Sequence, residues 1–321
     1  MEFPKVSVVI PVYKTEAYIE QCAYSLLDQT LESIEYIFVD DCSPDHSVEK
    51  LEEVLKQYPS RIKQTTIVRQ PTNCGAAIAR EIGIRKATGE YVIQCDSDDW
   101  VEKDMYEQLY NKAKKDDLDV VISEYAEVLH GKRTRVVSQY LGEDPLYMVV
   151  KEPIRCSLWN KLVRRNIYVT NEFVYPKKHM MEDEVICAQI FFYAKRVGYV
   201  NKPLYNYNLN PLSISHVIDE AGILKRWSDA YENIKIVDEF IHKYCNDKKY
   251  YRALDVLKFD VKGYLMPSLR RGNKYYEAWR NTFPEINFRI LFSEELPISL
   301  RIIYALTYIK LYPTINKILN T

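Results

Sequence analysis

The sequence predicts an α/β protein built on a mostly parallel central sheet, followed by a helical C-terminal extension. Three observations lead there. Apolar runs rich in β-branched residues alternate with segments of helical period through the first 125 residues, and that alternation implies βαβ units. Polar and acidic residues follow those runs, at the strand ends where an open α/β sheet binds ligands. After His216 the alternation stops, and residues 219–280 become polar, tyrosine-rich and helical in period.

Each element has its own local reason. Val6 to Val12 is a continuous apolar run, as expected for a strand buried on both faces. Thr15 is placed to cap a helix reaching Thr30, with Ile19, Cys22, Leu26 and Leu27 on one face. Glu35 to Asp40 is a second strand. Ser43-Pro44-Asp45 is a turn, and Val48, Leu51 and Leu55 mark a second helix. Thr65 to Val68 is a short strand. Ala76 to Ala87 is a helix ended by Thr88-Gly89. Glu90 to Cys95 is a strand, Glu102 to Lys115 a helix and Asp119 to Val128 a strand. His130-Gly131-Lys132 reads as a hairpin turn, and Glu182 to Lys195 as a helix. Gly198 to Asn208 reads as two short strands split by Asn201-Lys202-Pro203. Ile298 to Thr321 is apolar and basic, with no acidic residue.

Composition narrows the function. A chain of 321 residues suggests two domains, or one with a large extension. Hydrophobic residues are 47% and charged residues 28%, which excludes wholesale disorder. With 44 basic and 45 acidic residues there is no overall basic field, so no nucleic-acid partner is expected. Seven cysteines without a CxxC speak against a disulfide framework or zinc ribbon and fit a reducing compartment. MEFPKVSVVIPVY is not a signal peptide, and no run of about 18 apolar residues exists to span a membrane. A cytoplasmic protein is expected.

The residues after each strand carry the chemistry. These are Pro11, Val12 and Tyr13, then Asp40 and Asp41, then the Gln70–Gly75 loop with Asn73, then Asp96-Ser97-Asp98-Asp99-Trp100. DSDDW places three carboxylates in four residues. They repel one another unless a cation joins them, and hard oxygen ligands favour Mg²⁺ or Mn²⁺; the plainer reading is a solvated acidic turn. Asp40 and Asp41 either cap the following segment or accept hydrogen bonds from a base or ribose. Tyr13 packs, or stacks on a base. Arg80 lies on the surface, pairs with a strand-end carboxylate, or faces a phosphate. Glu182, Asp183 and Glu184 open a helix, where the dipole favours acids and keeps them ionised. Trp159 and Lys161, in LWNKL, either pack or touch an acceptor or diphosphate.

These segments together resemble glycosyltransferase family 2. VSVVIPVYKTEAYIEQCAYSLLDQTLESIEYIFVDDCSPDHS is similar to its N-terminal signature. NCGAAIAREIGI, ATGEYVIQCDSDDW, LWNKLVRR, HMMEDEVI and LYNYNLNPLSIS follow in the family's order, over about residues 5–216. The resemblance implies a GT-A fold and an inverting transfer from a nucleotide sugar, UDP-linked by expectation, to a glycan or lipid-linked acceptor in surface-polysaccharide synthesis. It implies that Pro11, Val12 and Tyr13 flank the base. Asp41 meets the uracil edge, with Asp40 as close rival, and Asn73 and Arg80 contact the nucleotide. Asp96 and Ser97 lie at the ribose, and Asp98 holds Mn²⁺ or Mg²⁺. Asp99, Glu182, Trp159 and Lys161 support the site, and Asp183 is the catalytic base.

Two departures bear on loop geometry: Cys42 and Met181 stand where the family often has glycine. The expected organisation is a catalytic domain over 1–216, with a nucleotide-binding half over 1–100 and an acceptor half over 101–216. A helical region over 217–321 follows. The Ser213-Ile214-Ser215-His216 stretch resembles a loop that closes near the diphosphate. Residues 298–321 either pack as a helix or rest peripherally on an anionic inner leaflet. A nucleotidyltransferase or a NAD-binding enzyme would need a glycine-rich turn after strand one, and PVYKTEAY has none. A non-catalytic nucleotide-sugar-binding module of the same fold would lose a metal or base carboxylate, and all are present.

Overall fold

The computed structural model describes residues 3–152, 155–176, 178–209 and 219–311. The Ser213–His216 stretch, the expected 216/217 boundary and residues 312–321 lie outside them. In chain order the elements begin β1 (Val6–Val12), α1 (Ile19–Leu27), β2 (Ile34–Asp40), α2 (Ser47–Lys56), α3 (Pro59–Ile62) and β3 (Thr65–Arg69). Then come α4 (Ala76–Lys86), β4 (Tyr91–Gln94), β5 (Trp100–Val101), α5 (Met105–Lys115), β6 (Val120–Leu129) and β7 (Lys132–Val137). The middle holds α6 (Pro145–Lys151), β8 (Lys161–Arg164), α7 (Asn166–Val169), α8 (Glu182–Tyr193) and β9 (Val197–Asn208). The remainder is helical: α9 (Glu220–Tyr244), α10 (Lys248–Gly263), α11 (Asn273–Asn281), α12 (Ile286–Arg289) and α13 (Ile298–Tyr308).

The sheet runs β3-β2-β1-β4-β8-β6-β9-β5, with β7 hairpinned onto β6. β1 pairs in parallel with β2 and β4, and β2 with β3. This parallel half aims the ends of β1, β2 and β4 at one edge, on either side of the point where the strand order reverses. β8 then runs antiparallel to both β4 and β6, and β9 runs parallel to β6.

Three local expectations change. Thr15 does not cap α1: its hydroxyl is buried without a hydrogen bond, while its carbonyl accepts from Tyr18 and Ile19, so the helix starts four residues later. The turn is tied instead to α2, where Ser47 Oγ accepts from the Thr15 N–H at 3.0 Å. Gly198 to Asn208 belongs to one strand rather than two. The pairing of Ser123 with Val200 and of Glu124 with Pro203 skips Asn201 and Lys202, which is a bulge rather than a turn. Trp100–Val101 forms a short strand on β9, delaying α5 to Met105.

Alternation along β1 sends Val8 and Ile10 to one layer and Val9 to the other. The first layer packs on α1, α2 and α5 through Leu26, Leu51 and Met105. The second joins α4 and α8 to the C-terminal helices in one apolar cluster that runs from Val9 and Ile37 to Trp279 and Tyr304. Phe192 of α8 meets Phe240 of α9 edge-on at 5.2 Å. Lys258 of α10 lies 2.7 Å from both Asp238 and Glu285. α13 packs through Tyr304, whose ring is 4.9 Å from that of Trp279.

Gly83 tests the α4–β1 contact. A Cβ there would lie 2.2 Å from Val9 Cγ1. Alanine is favoured over glycine in a helix by about 1 kcal/mol, but overpacking a closed layer costs about 1–3 kcal/mol. Gly83→Ala should therefore lower the denaturation midpoint. Adding Val9→Ala should make the pair less destabilised than the sum of the two; strict additivity would show that the layer yields elsewhere.

Candidate active site

The end of β1 is interior up to Pro11 and Val12, and Tyr13 is the first residue to reach solvent. The Lys14 ammonium lies 5.3 Å from the Tyr13 ring. Asp40, at the end of β2, accepts the Ser43 N–H on Oδ1 at 2.8 Å. That turn puts Cys42 at φ 57, a left-handed conformation glycine adopts more readily. Asp41 is buried, and its two carboxylate oxygens accept the backbone N–H groups of Cys74 at 2.8 Å and Gly75 at 2.7 Å. Asn73 donates to the Asp41 carbonyl at 3.3 Å. Asp41 is thus committed to anchoring the loop that enters α4. Among the described residues Asp40 Oδ2 has no hydrogen-bond partner, whereas both Asp41 oxygens are taken. Gly75, at φ 92, carries the His179 ring where a Cβ would lie, 1.9 Å from Cε1.

The acidic turn after β4 is braced by β9. Asp99 is buried and accepts from the Tyr205 hydroxyl at 2.6 Å and the Asn208 N–H at 2.7 Å. The Tyr205 hydroxyl also accepts the Asp96 N–H at 3.1 Å. Asn208 Nδ2 donates to the Asp98 carbonyl at 3.2 Å. Tyr205 in turn stacks on Trp159, with centroids 4.2 Å apart and planes at 13°. Trp159 therefore belongs to the interior brace. Lys161 is also interior: its ammonium donates to Asn160 Oδ1 at 3.0 Å and to the Ser157 carbonyl, and burial lowers its pKa. Sequence reasoning assigned no role to Tyr205 and Asn208. Their signal was alternation in LYNYN, which puts Tyr205 on the inner face of a strand.

Arg80 joins the two halves of the site. Nη2 lies 2.8 Å from Asp96 Oδ1, and Nη1 lies 3.1 Å from Glu182 Oε1 and 3.6 Å from Asp183 Oδ1. Its side chain is 11% exposed, so the guanidinium is enclosed by carboxylates and does not stand open for a phosphate. Met181 at φ 59 provides the sharp entry that aims Glu182 and Asp183 at it from the first turn of α8. Burial raises the pKa of both acids, while Arg80 opposes the rise. Asp183 Oδ1 is buried and has no hydrogen-bond partner among the described residues.

Among the described residues no three His, Cys, Asp or Glu side chains gather as a ready-made metal set. The donor chemistry nevertheless fits a divalent cation completed by ligand oxygens. Asp98 is pushed up to about 6 by burial and then by the Asp96 charge, which Arg80 only partly offsets, and no described side chain forms an ion pair with it. Ser97, between them, is buried.

A parallel half-sheet with acidic strand ends, a mixed second half and a carboxylate pair opening a helix make up the GT-A architecture. S. aureus TarS 1–349, solved with UDP-GlcNAc, superposes with a TM-score of 0.70 at 18% identity, over 98% of this chain and 90% of that one. The mannosyltransferase PcManGT of Pyrobaculum calidifontis, solved with GDP-Man and Mn²⁺, gives 0.55 at 14% identity, over 97% and 88%. Residues 7–186 match the sequence profile of Glycosyl transferase family 2, and the chain belongs to that family. The Bacillus subtilis protein named as glycosyltransferase EpsH is 35% identical over 224 residues, 67% of this chain and 63% of that relative. The match thus spans under two thirds of that relative's length.

Arg80→Met leaves three carboxylates, 18–25% exposed, facing one another without a cation. Removing one partner of a buried ion pair costs about 3–5 kcal/mol. Glu182 and Asp183 already bind protons more tightly folded than unfolded, and the variant strengthens this. Stability from such groups is present in acid and lost as pH rises through the folded pKa. The deficit against wild type, read from urea melts, should be largest near about pH 8 and shrink toward about pH 5.5. A pH-independent deficit would mean that Arg80 does not shift the pKa of Glu182 or Asp183.

Proposed function

We propose that this chain moves a sugar from a nucleotide donor, UDP-linked, to a hydroxyl of a glycan or lipid-linked saccharide, inverting the anomeric carbon. The observation that carries this reading is the Arg80 bridge, which holds the strand-end acidic turn and the Asp183 carboxylate in one site. The TarS structure with bound UDP-GlcNAc supports a uridine donor for the shared fold. In this reading the base lies between Tyr13 and the Asn73 loop, with Asp40 Oδ2 accepting its N–H. Pro11 and Val12 form the floor, and Asp96 and Ser97 meet the ribose.

Asp98, beside Asp96, would hold Mn²⁺ or Mg²⁺, which supplies charge neutralisation to the departing diphosphate. Asp183 takes the proton of the acceptor hydroxyl as its oxygen bonds the anomeric carbon. The bond from that carbon to the diphosphate oxygen breaks on the opposite face, and the electron pair leaves with the nucleoside diphosphate. Arg80 keeps Asp183 oriented and favours its ionised form, while Asp99, Tyr205 and Asn208 fix the turn that carries Asp98.

The role in surface-polysaccharide synthesis extends to placement. α13 buries Tyr304 but turns Ile298, Ile302 and Ile309 outward, beside Phe288 and the 78%-exposed Phe292. Arg301 lies in α13 and Lys310 just after it, and α13 has no acid. It suits peripheral contact with an anionic leaflet. Among the described residues no helix is long and apolar enough to cross a membrane.

Purified protein screened against nucleotide sugars, with release of free nucleotide as readout, tests the whole reading. General-base assistance is worth about 10²–10⁴-fold, so Asp183→Asn should lose about 10²-fold or more in kcat with donor affinity nearly unchanged. Turnover within about threefold of wild type would move the base to Glu182 or Glu184. Because the Asp183 pKa is raised, the acid limb of the kcat profile should lie above the ordinary Asp range of about 4. Asp98→Ala should abolish transfer, and EDTA should do the same until Mn²⁺ or Mg²⁺ is restored; full activity in EDTA would remove the metal from the reading.

Floating the full-length protein and a form truncated after Pro297 on anionic liposomes tests the placement. Loss of flotation in the truncated form is expected. Indifference of the full-length protein to anionic liposomes at low salt would reduce α13 to a packing helix.

A further inference from the structure

On the other side of the α8 N-terminus from Arg80 lies a cleft of about 680 Å³. That is within the range of about 300–1,000 Å³ typical of small-molecule sites. Its walls come from segments far apart in the chain. Lys151 and Glu152 end α6, Glu184 lies in the first turn of α8, Arg226 is on α9, and Asp260 and Tyr264 come from α10 and its C-terminal cap. None of these residues is used in the mechanism above.

Glu184 is 9% exposed, and what remains open of it faces the cleft. Its carboxylate forms no ion pair and takes no hydrogen bond from another described residue. A buried carboxylate left without donors is costly, so a ligand that brings O–H or N–H groups is strongly favoured there. Asp260, on the opposing wall, is exposed at the cleft mouth and has no partner among the described residues. Tyr264 adds a half-buried ring to the same cleft.

The charge of the walls restricts what enters. Lys151 is committed to Glu295 at 2.8 Å, and Glu152 is held by Arg155 at 2.8 Å. The lining holds three acids against Lys151 and Arg226. Such walls form no basic track for a chain that repeats a negative charge, whereas hydroxyl donors match the two unpaired carboxylates. Glu184 directly follows Asp183 in the first turn of α8, so the cleft shares that helix turn with the proposed base, which does not itself line it.

We propose that this cleft binds the acceptor as an uncharged saccharide. Glu184 and Asp260 accept hydrogen bonds from its hydroxyls and Tyr264 lies against a ring face, so helices α9 and α10 select neutral glycans over polyol-phosphate chains. This rests on the transferase reading above for the identity of the ligand as acceptor, but the binding site itself can be tested apart from it.

The experiment uses the full chain. Saturation-transfer NMR measures binding of n-octyl glucoside, galactoside and N-acetylglucosaminide, and of poly(ribitol phosphate), with UDP and Mn²⁺ present. Nucleotide release from UDP-sugars is measured in parallel on the wild type. At least one neutral glycoside should bind, and poly(ribitol phosphate) should not. Asp260→Ala and Tyr264→Ala should each weaken glycoside binding at least tenfold. In transfer assays they should raise the acceptor KM by a similar factor, with kcat changed less than threefold.

Gly263→Trp is a second route should those variants fold poorly. A Cβ at Gly263 has nothing within 4 Å, so the indole can fill the cleft without backbone strain; it should block the same glycoside. Affinities within twofold of wild type in all three variants would overturn the inference. So would preference for poly(ribitol phosphate), binding of no neutral glycoside, or glycoside binding that depends on Asp260 only when Mn²⁺ is present. If glycoside binding falls in the variants but the wild type releases no nucleotide from any UDP-sugar, the cleft stands and the transferase reading falls. Nucleotide release with glycoside binding indifferent to the variants gives the reverse.

Discussion

Everything around the site depends on one buried guanidinium. Arg80 stands on α4, Asp96 at the end of β4, and Glu182 and Asp183 at the start of α8, and its fork reaches all three acids within 3.6 Å. Each acid is costly to bury alone, and each sits where a βα turn or a helix start aims it inward. The arginine makes their convergence tolerable without neutralising it fully, since burial still raises Glu182 and Asp183. The result is a partly charged interior in which Asp183 is oriented yet keeps an unbonded oxygen. A lysine could not do the same, because a point charge lacks the two-pronged reach that links acids on different elements.

The rest of the site serves this arrangement by taking polar groups out of play. Asp41 is absorbed by the Cys74 and Gly75 amides, Asp99 by Tyr205 and Asn208, and Lys161 by its own turn. Among the described residues, the groups left without a hydrogen-bond donor include Asp40 Oδ2, the Asp98 carboxylate, Asp183 Oδ1 and, across α8, the carboxylates of Glu184 and Asp260. Local structure satisfies its own hydrogen bonds first, and the unsatisfied remainder marks where ligands complete the molecule.

α8 is the element through which the C-terminal helices bear on this chemistry. One turn of it carries Glu182 and Asp183 toward Arg80 and Glu184 toward α9 and α10. Its far end packs Phe192 against Phe240. The same apolar cluster runs from β1 to Trp279, so displacing the C-terminal helices would shift the base as well as the cleft. In the proposed reaction this couples recognition of the acceptor to placement of the group that activates it.

Much of this was legible without coordinates. The parallel half-sheet follows from period-two apolar runs alternating with helical ones, and the acidic strand ends stand where such a sheet opens; both are local signals, read within about ten residues. Four things were not local. Arg80 meets partners 16 and 102 residues away, and a lone arginine in a helix carries no mark of which acid it will face. Both oxygens of Asp41 are claimed by two backbone amides over thirty residues downstream, and backbone donors have no sequence signature. Trp159 turned inward because β9 supplies Tyr205 as a stacking partner, Lys161 because Ser157 and Asn160 accept from its ammonium, and the cleft exists because residues 151, 184, 226 and 260 meet only in the fold. By itself, then, the sequence determined the layer order, the acidic turn and the acids that open α8, since repulsion, periodicity and helix dipoles act between neighbours. The tertiary structure decided which of those acids remain unpaired, since that depends on donors brought from distant parts of the chain.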